Sequence, residues 1–415
     1  MIIACTETTD IELTCNELLK GIDIDIEKHR INNFISIDLL NLFLEVYKND
    51  IETKRDMYKK TNFNIKVYVN AKNLDTWNEN KDLIIRLTDF VTECDNDKWN
   101  IDFIPVEYKF EKENTKLNII QNIDNISLLS GGLDSFCGAY KNESNNESTI
   151  YCGYKTSNMD YSSIKNVNSF LYNRKGYKGI DLYERINQKK QYYHQRTRSL
   201  LFLAIAIFSA VERKINVVKI NENGIMSLNP SFESRATTKT THPKTIYLYQ
   251  KLLNNIGLNI KLEHPFLFTT KGEMINLLNN EYKNHIRYTR SCGISFQNKN
   301  YNMDADTSCG ACVPCLLRKI SISAYDLEKY DNQYIIPYEE KSKIYQNFNN
   351  GKLNDYHSSL SYFKKFYEAI ESGMIFTELN IRKNYYKDKD YLEKTQIMLE
   401  KFKEELSIFM KKYDK

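Results

Sequence analysis

Four cysteines in the second half of the chain have the spacing of a metal site. Cys309, Cys312 and Cys315 are separated by two residues each, and Cys292 stands shortly before them. Four thiolates suit a closed tetrahedral Zn²⁺, which holds a loop together and leaves no open coordination position. Cysteines at two-residue gaps also suit an iron–sulfur cluster. Zinc is the favoured interpretation, and iron or free buried thiols are the alternatives.

A glycine-rich segment near the middle of the chain can bind an anion; its residues are Ser130, Gly131, Gly132, Leu133, Asp134 and Ser135. Two glycines let the backbone turn tightly and approach a ligand. The N–H groups of such a turn and of a following helix converge on an anion, and the helix dipole favours it. Asp134 can cap that helix or bind Mg²⁺ on a pyrophosphate. An ordinary strand-to-helix turn is the alternative interpretation.

The elements around this segment predict an α/β fold with a parallel sheet. Ile126 to Leu129 is a short apolar strand leading into the turn, Tyr193 to Arg213 reads as an apolar helix, and Val217 to Ile220 as a buried strand. Strands that alternate with helices form parallel sheets covered on both faces. Ligands of such sheets bind beyond the carboxyl ends of the strands. We assign this domain to residues 121–327.

Residues 1–120 are predicted to form an α/β accessory domain. Phe63 to Val69 alternates as a half-buried strand does, Glu79 to Cys94 has helical apolar spacing, and Asn100 to Val106 reads as a second strand. This region contains no cluster of catalytic residue types. We expect it to serve recognition or oligomerisation.

Residues 328–415 are predicted to be helical. One apolar stripe recurs there at steps of three, four and seven residues, formed by Leu392, Leu399, Phe402, Leu406 and Phe409. We expect this stripe to pack onto the body of the protein, with a surface for a partner helix as the alternative.

Composition narrows the class of protein. The 415 residues are 41% hydrophobic and 27% charged, which is ordinary for a globular protein, and the net charge of +4 does not favour a nucleic-acid partner. No apolar run reaches the ~18 residues needed to cross a membrane. The first residues lack the pattern of a signal peptide. We therefore expect a cytoplasmic homo-oligomer with no membrane contact and no disulfide framework.

The glycine-rich segment resembles the PP-loop of the ATP pyrophosphatase superfamily. Enzymes of that superfamily cleave ATP between the α and β phosphates and transfer AMP to a carboxylate or carbonyl oxygen. The resemblance implies a sheet of the PP-loop type, similar to that of the adenine nucleotide alpha hydrolases. It also implies ATP and Mg²⁺ as ligands.

Taken with the cysteines, the segment resembles the QueC family of 7-cyano-7-deazaguanine synthases. The likeness covers about residues 124–326. It includes four short motifs: Ser291-Cys292, Cys309-Gly310-x-Cys312-x-x-Cys315-x-x-Arg318, Arg198-x-x-x-Phe202-Leu203, and Thr270-Lys271-x-Glu273-Met274-Ile275. The family activates 7-carboxy-7-deazaguanine with ATP and converts the acyl adenylate with ammonia to an amide and then a nitrile. The resemblance implies this 7-deazaguanine-type small molecule as substrate.

Several positions depart from the family pattern. Ser199 stands where the family has Asn, and Arg196 where it usually has Pro. The family's Asp-x-x-Gly-Tyr-Pro-Asp-Cys-Arg segment is absent. The added N-terminal and C-terminal regions are more similar to the enlarged QueC-like proteins of bacterial antiphage operons, such as the Qat systems and type IV CBASS. There the resemblance suggests a protein amine as acceptor and defence-operon proteins as partners.

The resemblance assigns roles to individual residues. Lys271 and Arg198 are candidates to neutralise charge on the α-phosphate, although each can instead be a surface cation. Asp134 completes the predicted catalytic group together with His242, a candidate base for the incoming amine. A structural histidine in a Thr-His-Pro turn is the alternative for His242.

Three further residues are candidates for substrate binding. Glu222 and Asn223 follow a buried strand, which places them at a sheet end. Glu222 can bond a guanine-like edge or bind Mg²⁺, and a plain turn is the alternative. Arg235 is a candidate to bind the substrate carboxylate. Arg318 is expected to brace the cysteine loop.

The leading functional hypothesis is an ATP-dependent carbon–nitrogen ligase acting on a 7-deazaguanine carboxylate. A second hypothesis keeps the PP-loop and changes the substrate, for example to tRNA. A third is a non-catalytic ATP- and zinc-binding scaffold of a defence complex.

Overall fold

The computed structural model describes residues 2–5, 10–12, 34–55, 60–110, 122–155, 157–183, 195–232, 238–293 and 307–415. The N-terminal part contains β1 (Ile2–Cys5), β2 (Asp10–Glu12), β3 (Asn62–Asn70) and β4 (Lys98–Phe110). These strands form one mixed sheet in the order β2-β1-β4-β3, in which β3 and β4 are parallel and β1 is antiparallel to both of its neighbours.

The helices of the N-terminal part connect its sheet to the rest of the protein. They are α1 (Ile35–Glu52), α2 (Leu74–Glu79) and α3 (Lys81–Val91). Helix α1 is buried on almost every side, because it packs on β3 with one face and on a helix of the central domain with another. Its apolar residues therefore belong to one core together with residues of the central sheet.

A five-stranded sheet forms the centre of the molecule. Its strands are β5 (Asn125–Leu128), β6 (Thr149–Tyr154), β7 (Tyr177–Tyr183), β8 (Val217–Lys219) and β9 (Lys261–Glu263). Their order is β7-β6-β5-β8-β9 and all neighbours are parallel. Every residue of β6 is buried, as expected for a parallel strand covered on both faces.

Helices cover both faces of the central sheet. They are α4 (Leu133–Ser144), α5 (Asn158–Leu171), α6 (Arg198–Glu212), α7 (Gly224–Leu228), α8 (Pro243–Asn255), α9 (Lys271–Asn276) and α10 (Asn280–His285). Helices α6 and α8 share a core with α1 on one face. Helices α4, α5 and α9 form a second core on the other face.

The C-terminal part is mainly helical. Its short strands β10 (Thr307–Ser308) and β11 (Gln333–Tyr334) pair with each other, and α11 (Val313–Ser323) lies between them in the chain. Four helices follow: α12 (Lys341–Asn347), α13 (Asn350–Glu371), α14 (Ile375–Glu378) and α15 (Tyr391–Tyr413). Short 3₁₀ turns occur at Ala71–Asn73, Glu93–Asp95, Ile286–Tyr288, Glu328–Tyr330 and Lys383–Tyr385. Among the described residues, no helix combines the length and the apolar character that crossing a bilayer requires.

The structure confirms an α/β fold with a parallel sheet and a helical C-terminal region. The helix predicted from Tyr193 begins at Arg198 in the described part of the chain, because the N–H and hydroxyl of Thr197 bond the carboxylate of Asp50. On α15 the predicted apolar stripe is buried except for Leu392, which is 49% exposed at the first turn of the helix. The boundaries at residues 120 and 327 stay a prediction.

Candidate functional site

The strand order creates a crevice at the carboxyl end of the central sheet. The chain winds from β5 through β6 to β7 in one direction, then crosses to β8 and β9 on the other side of β5. Loops leaving neighbouring strands β5 and β8 therefore diverge, and ligands of open α/β sheets bind at such a switch point. The glycine-rich segment leaves β5, and Glu222 and Asn223 follow β8.

The glycine-rich segment forms a tight turn into helix α4. Gly131 has a positive φ of 74°, and a Cβ there would lie 2.7 Å from the backbone nitrogen of Ile164. The Ser135 hydroxyl donates to the Gly132 carbonyl at 2.9 Å, and the Gly132 N–H points to the Ser130 Oγ at 3.3 Å. Gly132 caps α4 without a side chain, so the first N–H groups of α4 can bind an anion.

Four side chains meet beside this turn. The Lys271 Nζ lies 2.9 Å from the Asp134 Oδ1. The Asn223 Nδ2 donates to the Asp134 Oδ2 at 2.7 Å and lies 3.0 Å from the Glu222 Oε1. Asp134, Lys271 and Asn223 are almost entirely buried. The structure thus brings together residues from three loops that the sequence separates by up to 137 positions.

The two carboxyl groups of this cluster have different protonation. Burial alone would raise the pKa of Asp134, but the ammonium of Lys271 and hydrogen bonds from Glu222 and Asn223 lower it below its ordinary value. Burial and the neighbouring charge of Asp134 raise the pKa of Glu222 well above its ordinary value. At neutral pH the pair therefore carries one negative charge, with Asp134 ionised and Glu222 protonated.

Backbone caps fix the loops that carry Lys271 and Asn223. Thr270 and Glu273 form a capping box at the start of α9, so Lys271 is the first residue of a tightly held helical turn. The Asn223 side chain accepts from the Met226 N–H at 3.0 Å and caps α7. Asn223 therefore serves both the local backbone and the carboxylate of Asp134.

His264 is a residue at this edge that sequence reasoning missed. It follows β9, and its Nε2 lies 2.9 Å from the backbone oxygen of Glu222. A carbonyl oxygen only accepts, so Nε2 carries the proton and Nδ1 is the acceptor. Burial lowers the pKa of His264 to about 4, which keeps the ring neutral. Its strand has only three residues, which is too short to stand out in the sequence.

The remaining predicted residues lie outside this cluster. Arg198 begins α6 and is exposed, with its guanidinium 5.6 Å from the centre of the Phe202 ring. Arg235 falls outside the described residues. His242 is fully buried; its Nδ1 accepts from the Lys244 N–H at 3.1 Å and its Nε2 lies 3.1 Å from the Leu379 oxygen.

His242 is therefore a capping residue of α8, and its geometry gives no support to the predicted role as a base. Both ring nitrogens already have backbone partners, and burial lowers its pKa to about 3. A base needs a free nitrogen within reach of its substrate.

The four predicted cysteines converge on one point. Each offers one Sγ, and the four sulfurs of Cys292, Cys309, Cys312 and Cys315 lie within 4.8 Å of one another. The Cys309 and Cys315 sulfurs are 3.7 Å apart, close to the roughly 3.8 Å expected for thiolates around one tetrahedral Zn²⁺.

Backbone N–H groups support the same interpretation. Those of Ala311 and Cys312 point at the Cys309 sulfur at 3.3 Å, and such contacts stabilise thiolates. The residues therefore fit a single metal ion such as zinc, which would hold the loop together.

The cysteine loop is joined directly to the glycine turn. The Arg290 N–H donates to the Gly131 oxygen at 3.0 Å, two residues before Cys292. Arg318, buried on α11 three residues after Cys315, donates to the backbone oxygens of Thr289 and Ile286 and pairs with Asp331. Arg318 thus braces the loop, as predicted, and a metal on the cysteines would steady the backbone that touches the turn.

No protein-family model matches this sequence, and no curated protein matches it either.

Proposed function

We propose that the chain is an ATP-dependent ligase of the QueC type. In this proposal it transfers AMP from ATP to the carboxylate of 7-carboxy-7-deazaguanine and passes the activated acyl group to ammonia or to a protein amine. The proposal extends to the antiphage role of the enlarged QueC-like proteins, which this chain resembles in having added N-terminal and C-terminal regions. Its fold would then be of the PP-loop type.

One observation carries the proposal. A glycine turn open to an anion leaves one strand of a parallel sheet, and a buried acidic pair with a lysine sits beside it at the switch point of that sheet. An anion at the turn would meet helix N–H groups, while Lys271 offers a cation held in place by Asp134. Such prearranged charge favours a triphosphate over a neutral ligand.

The residues have separate roles in the proposed reaction. Ser130 to Ser135 bind the pyrophosphate portion of ATP, and Lys271 offsets charge that develops on the α-phosphate. Asp134 and Glu222 supply the oxygen ligands that Mg²⁺ prefers. When bound, Mg²⁺ would neutralise charge on the pyrophosphate.

Each step of the proposed reaction exchanges one bond for another. A substrate carboxylate oxygen bonds to the α-phosphorus, and the bond from that phosphorus to the bridging oxygen breaks, so pyrophosphate leaves with the electron pair. An amine nitrogen then bonds to the acyl carbon, AMP leaves with the electrons of the carbon–oxygen bond, and the nitrogen loses a proton.

The test measures AMP release from ATP and Mg²⁺, with and without 7-carboxy-7-deazaguanine and with ammonia added or omitted. We expect AMP only when the carboxylate is present, and mass spectrometry should detect an amide, a nitrile or an acylated protein. The Asp134→Asn variant should abolish AMP release.

Asp181→Asn is the matched control. Like Asp134, Asp181 is buried and paired with a cation, in this case Arg213 at 2.7 Å. It lies on β7, at the edge of the same sheet. It should retain AMP release. Carboxylate-independent AMP release would contradict the substrate, and ATP binding without AMP release under any condition would favour a scaffold.

A further inference from the structure

The C-terminal helix α15 places a buried glutamate against the loop that carries Lys271. Glu405 is 3% exposed and forms no ion pair with any residue that the structure describes. A carboxyl group buried without a cation is costly unless hydrogen bonds compensate for lost hydration. The groups that hydrogen-bond the Glu405 carboxyl group therefore show what stabilises it in the interior.

Those partners belong to the first turn of α9. The Thr270 hydroxyl donates to the Glu405 Oε1, and the Gly272 backbone N–H also bonds this carboxyl group. The Ser321 Oγ of α11 lies 3.5 Å from the Oε2. Lys271 stands between the two residues that Glu405 binds, so the carboxyl group fixes the backbone on both sides of it.

The glycine at position 272 is required by this contact. A Cβ at position 272 would overlap the Glu405 Oε1 and would lie 2.7 Å from the Tyr325 ring. Any side chain at 272 would displace the Glu405 carboxyl group from this contact. The close approach of α15 to α9 therefore depends on Gly272 as well as on Glu405.

The same helix touches the second loop of the site. Met398, two helical turns before Glu405, packs on Gly224, where a Cβ would overlap its sulfur. Gly224 directly follows Asn223. One face of α15 thus abuts both the loop with Lys271 and the loop with Glu222 and Asn223.

We propose that Glu405 is a positioning residue of the nucleotide site: it fixes the first turn of α9 and so holds the Lys271 ammonium against Asp134. The effect on ATP rests on the proposed function, whereas the effect on the α9 backbone does not. The C-terminal region is then a structural part of the site.

The charges around Glu405 give the contact a pH dependence. Glu273 faces it from α9 and is paired with Lys401 of α15, and Tyr325 faces it from the end of α11. Burial, with the charge of Glu273, raises the pKa of Glu405 to about 8. Below that pH the group is neutral, and deprotonation adds a negative charge beside the site that ATP would occupy.

The experiment compares Glu405→Gln and Glu405→Leu with Glu404→Gln, an exposed glutamate one position earlier on the same helix. Amide hydrogen exchange of residues 270–276 and the affinity for ATP with Mg²⁺ are measured across pH 6 to 9. Glu405→Leu should speed exchange in this segment and weaken ATP binding about fivefold to tenfold, the loss expected for a missing cap. Glu404→Gln should match the wild type.

Glu405→Gln mimics the protonated acid, because its side-chain oxygen still accepts. It should keep slow exchange and wild-type affinity at neutral pH. The wild type should bind ATP more weakly as pH rises through about 8, whereas the affinity of Glu405→Gln should not change there. Gly272→Ala displaces the Glu405 carboxyl group and keeps the Thr270 cap. It should reproduce the faster exchange if Glu405→Leu fails to fold.

Unchanged exchange in Glu405→Leu, or in Gly272→Ala where the Leu variant does not fold, would overturn the proposal. If the wild-type protein binds no ATP, the proposed function fails, while the exchange measurement still decides the role of Glu405.

Discussion

The two sheets of this protein each bury an aspartate, and the two surroundings differ. Asp38, on α1 beneath the N-terminal sheet, accepts from four neutral donors: the Tyr108 hydroxyl, the Asn73 Nδ2 at 2.6 Å, the Trp77 Nε1 at 2.9 Å and the Asn70 N–H at 2.9 Å. All four donors belong to the N-terminal part, and their bonds hold the turn after β3 against α1.

Asp134 at the central sheet has a different set of neighbours. It lies beside a protonated carboxyl group, pairs with a lysine and is next to a turn whose N–H groups can donate to an anion. A site of this kind contains several neighbouring ionisable groups, and a bound ligand can change how they pair. The comparison indicates that charged neighbours, more than burial, distinguish a candidate site from a structural network.

The largest expected effect follows from removing the metal. Stripping the cysteine site with a strong chelator should lower the Tm by about 10 °C or more, because structural zinc contributes directly to folding. Hydrogen exchange should rise in residues 130–136, which Arg290 touches, and stay slow in β3 and β4. Equal loosening of both sheets would contradict the link between the cysteine loop and the glycine turn.

Asp134→Asn should lower AMP formation by about a hundredfold or more, since it removes the charge that holds Lys271. We expect the free energy of unfolding to change by less than about 1 kcal/mol, because Glu222 can then ionise and pair with Lys271. Steady-state kinetics and urea unfolding check both expectations. Adding Glu222→Gln should destabilise the protein strongly, and a stable double variant would refute the shared charge.

Asp38→Asn should show the opposite pattern. The N–H groups of the new amide would face the N–H donors of Asn73 and Trp77, and two donors cannot form a hydrogen bond. The free energy of unfolding should therefore fall by about 2–3 kcal/mol. ATP binding should stay within about twofold of wild type at a temperature where the variant is folded. Asp75→Asn, an exposed change on α2, serves as the control in the same unfolding measurement.

The pH dependence of stability should have opposite signs at the two aspartates. Burial raises the pKa of Asp38, so its titration contributes stability below the ordinary value of 3.8, and that contribution is lost as pH rises above it. The lowered pKa of Asp134 makes its contribution present above 3.8 and lost as pH falls below it. Urea midpoints of wild type and both Asn variants from pH 3 to 7 measure the two slopes. Parallel slopes would show that the charges are assigned wrongly.

The smallest effect is expected at His242. Asn is a strong helix cap, so His242→Asn should change stability by less than about 1 kcal/mol, whereas His242→Ala should cost about 1 kcal/mol. AMP formation should be the same in both variants once they are folded. A large loss of rate in the Asn variant would restore His242 as a candidate base.

The parts of the site that the sequence predicts are those encoded by local spacing. The cysteine pattern identifies the candidate metal ligands, and the glycines after a short apolar strand identify the turn. Glu222 and Asn223 were found because they follow a buried strand. In each case the signal lies within a few residues, as the strand periods and loop motifs do.

The missed features depend on distant partners. Glu405 interacts with Thr270, which is 135 positions away, and nothing in the helical pattern of α15 marks it. The cap that His242 forms is local, but its other ring nitrogen lies against the Leu379 oxygen, 137 positions away. A Thr-His-Pro sequence does not show that both ring nitrogens of its histidine have hydrogen-bond partners. The sequence alone therefore does not distinguish a capping histidine from a catalytic one.

Helix α1, wedged between the two sheets, has a consequence for how the chain is made. It leaves the ribosome well before α6, the helix that covers its other face, and Asp50 must wait for Thr197, 147 positions later. During that interval its apolar side chains are exposed, which is the condition under which nascent chains bind chaperones or aggregate. The covering of α1 is therefore completed late, and slowing translation between residues 60 and 195 should lower the yield of folded protein.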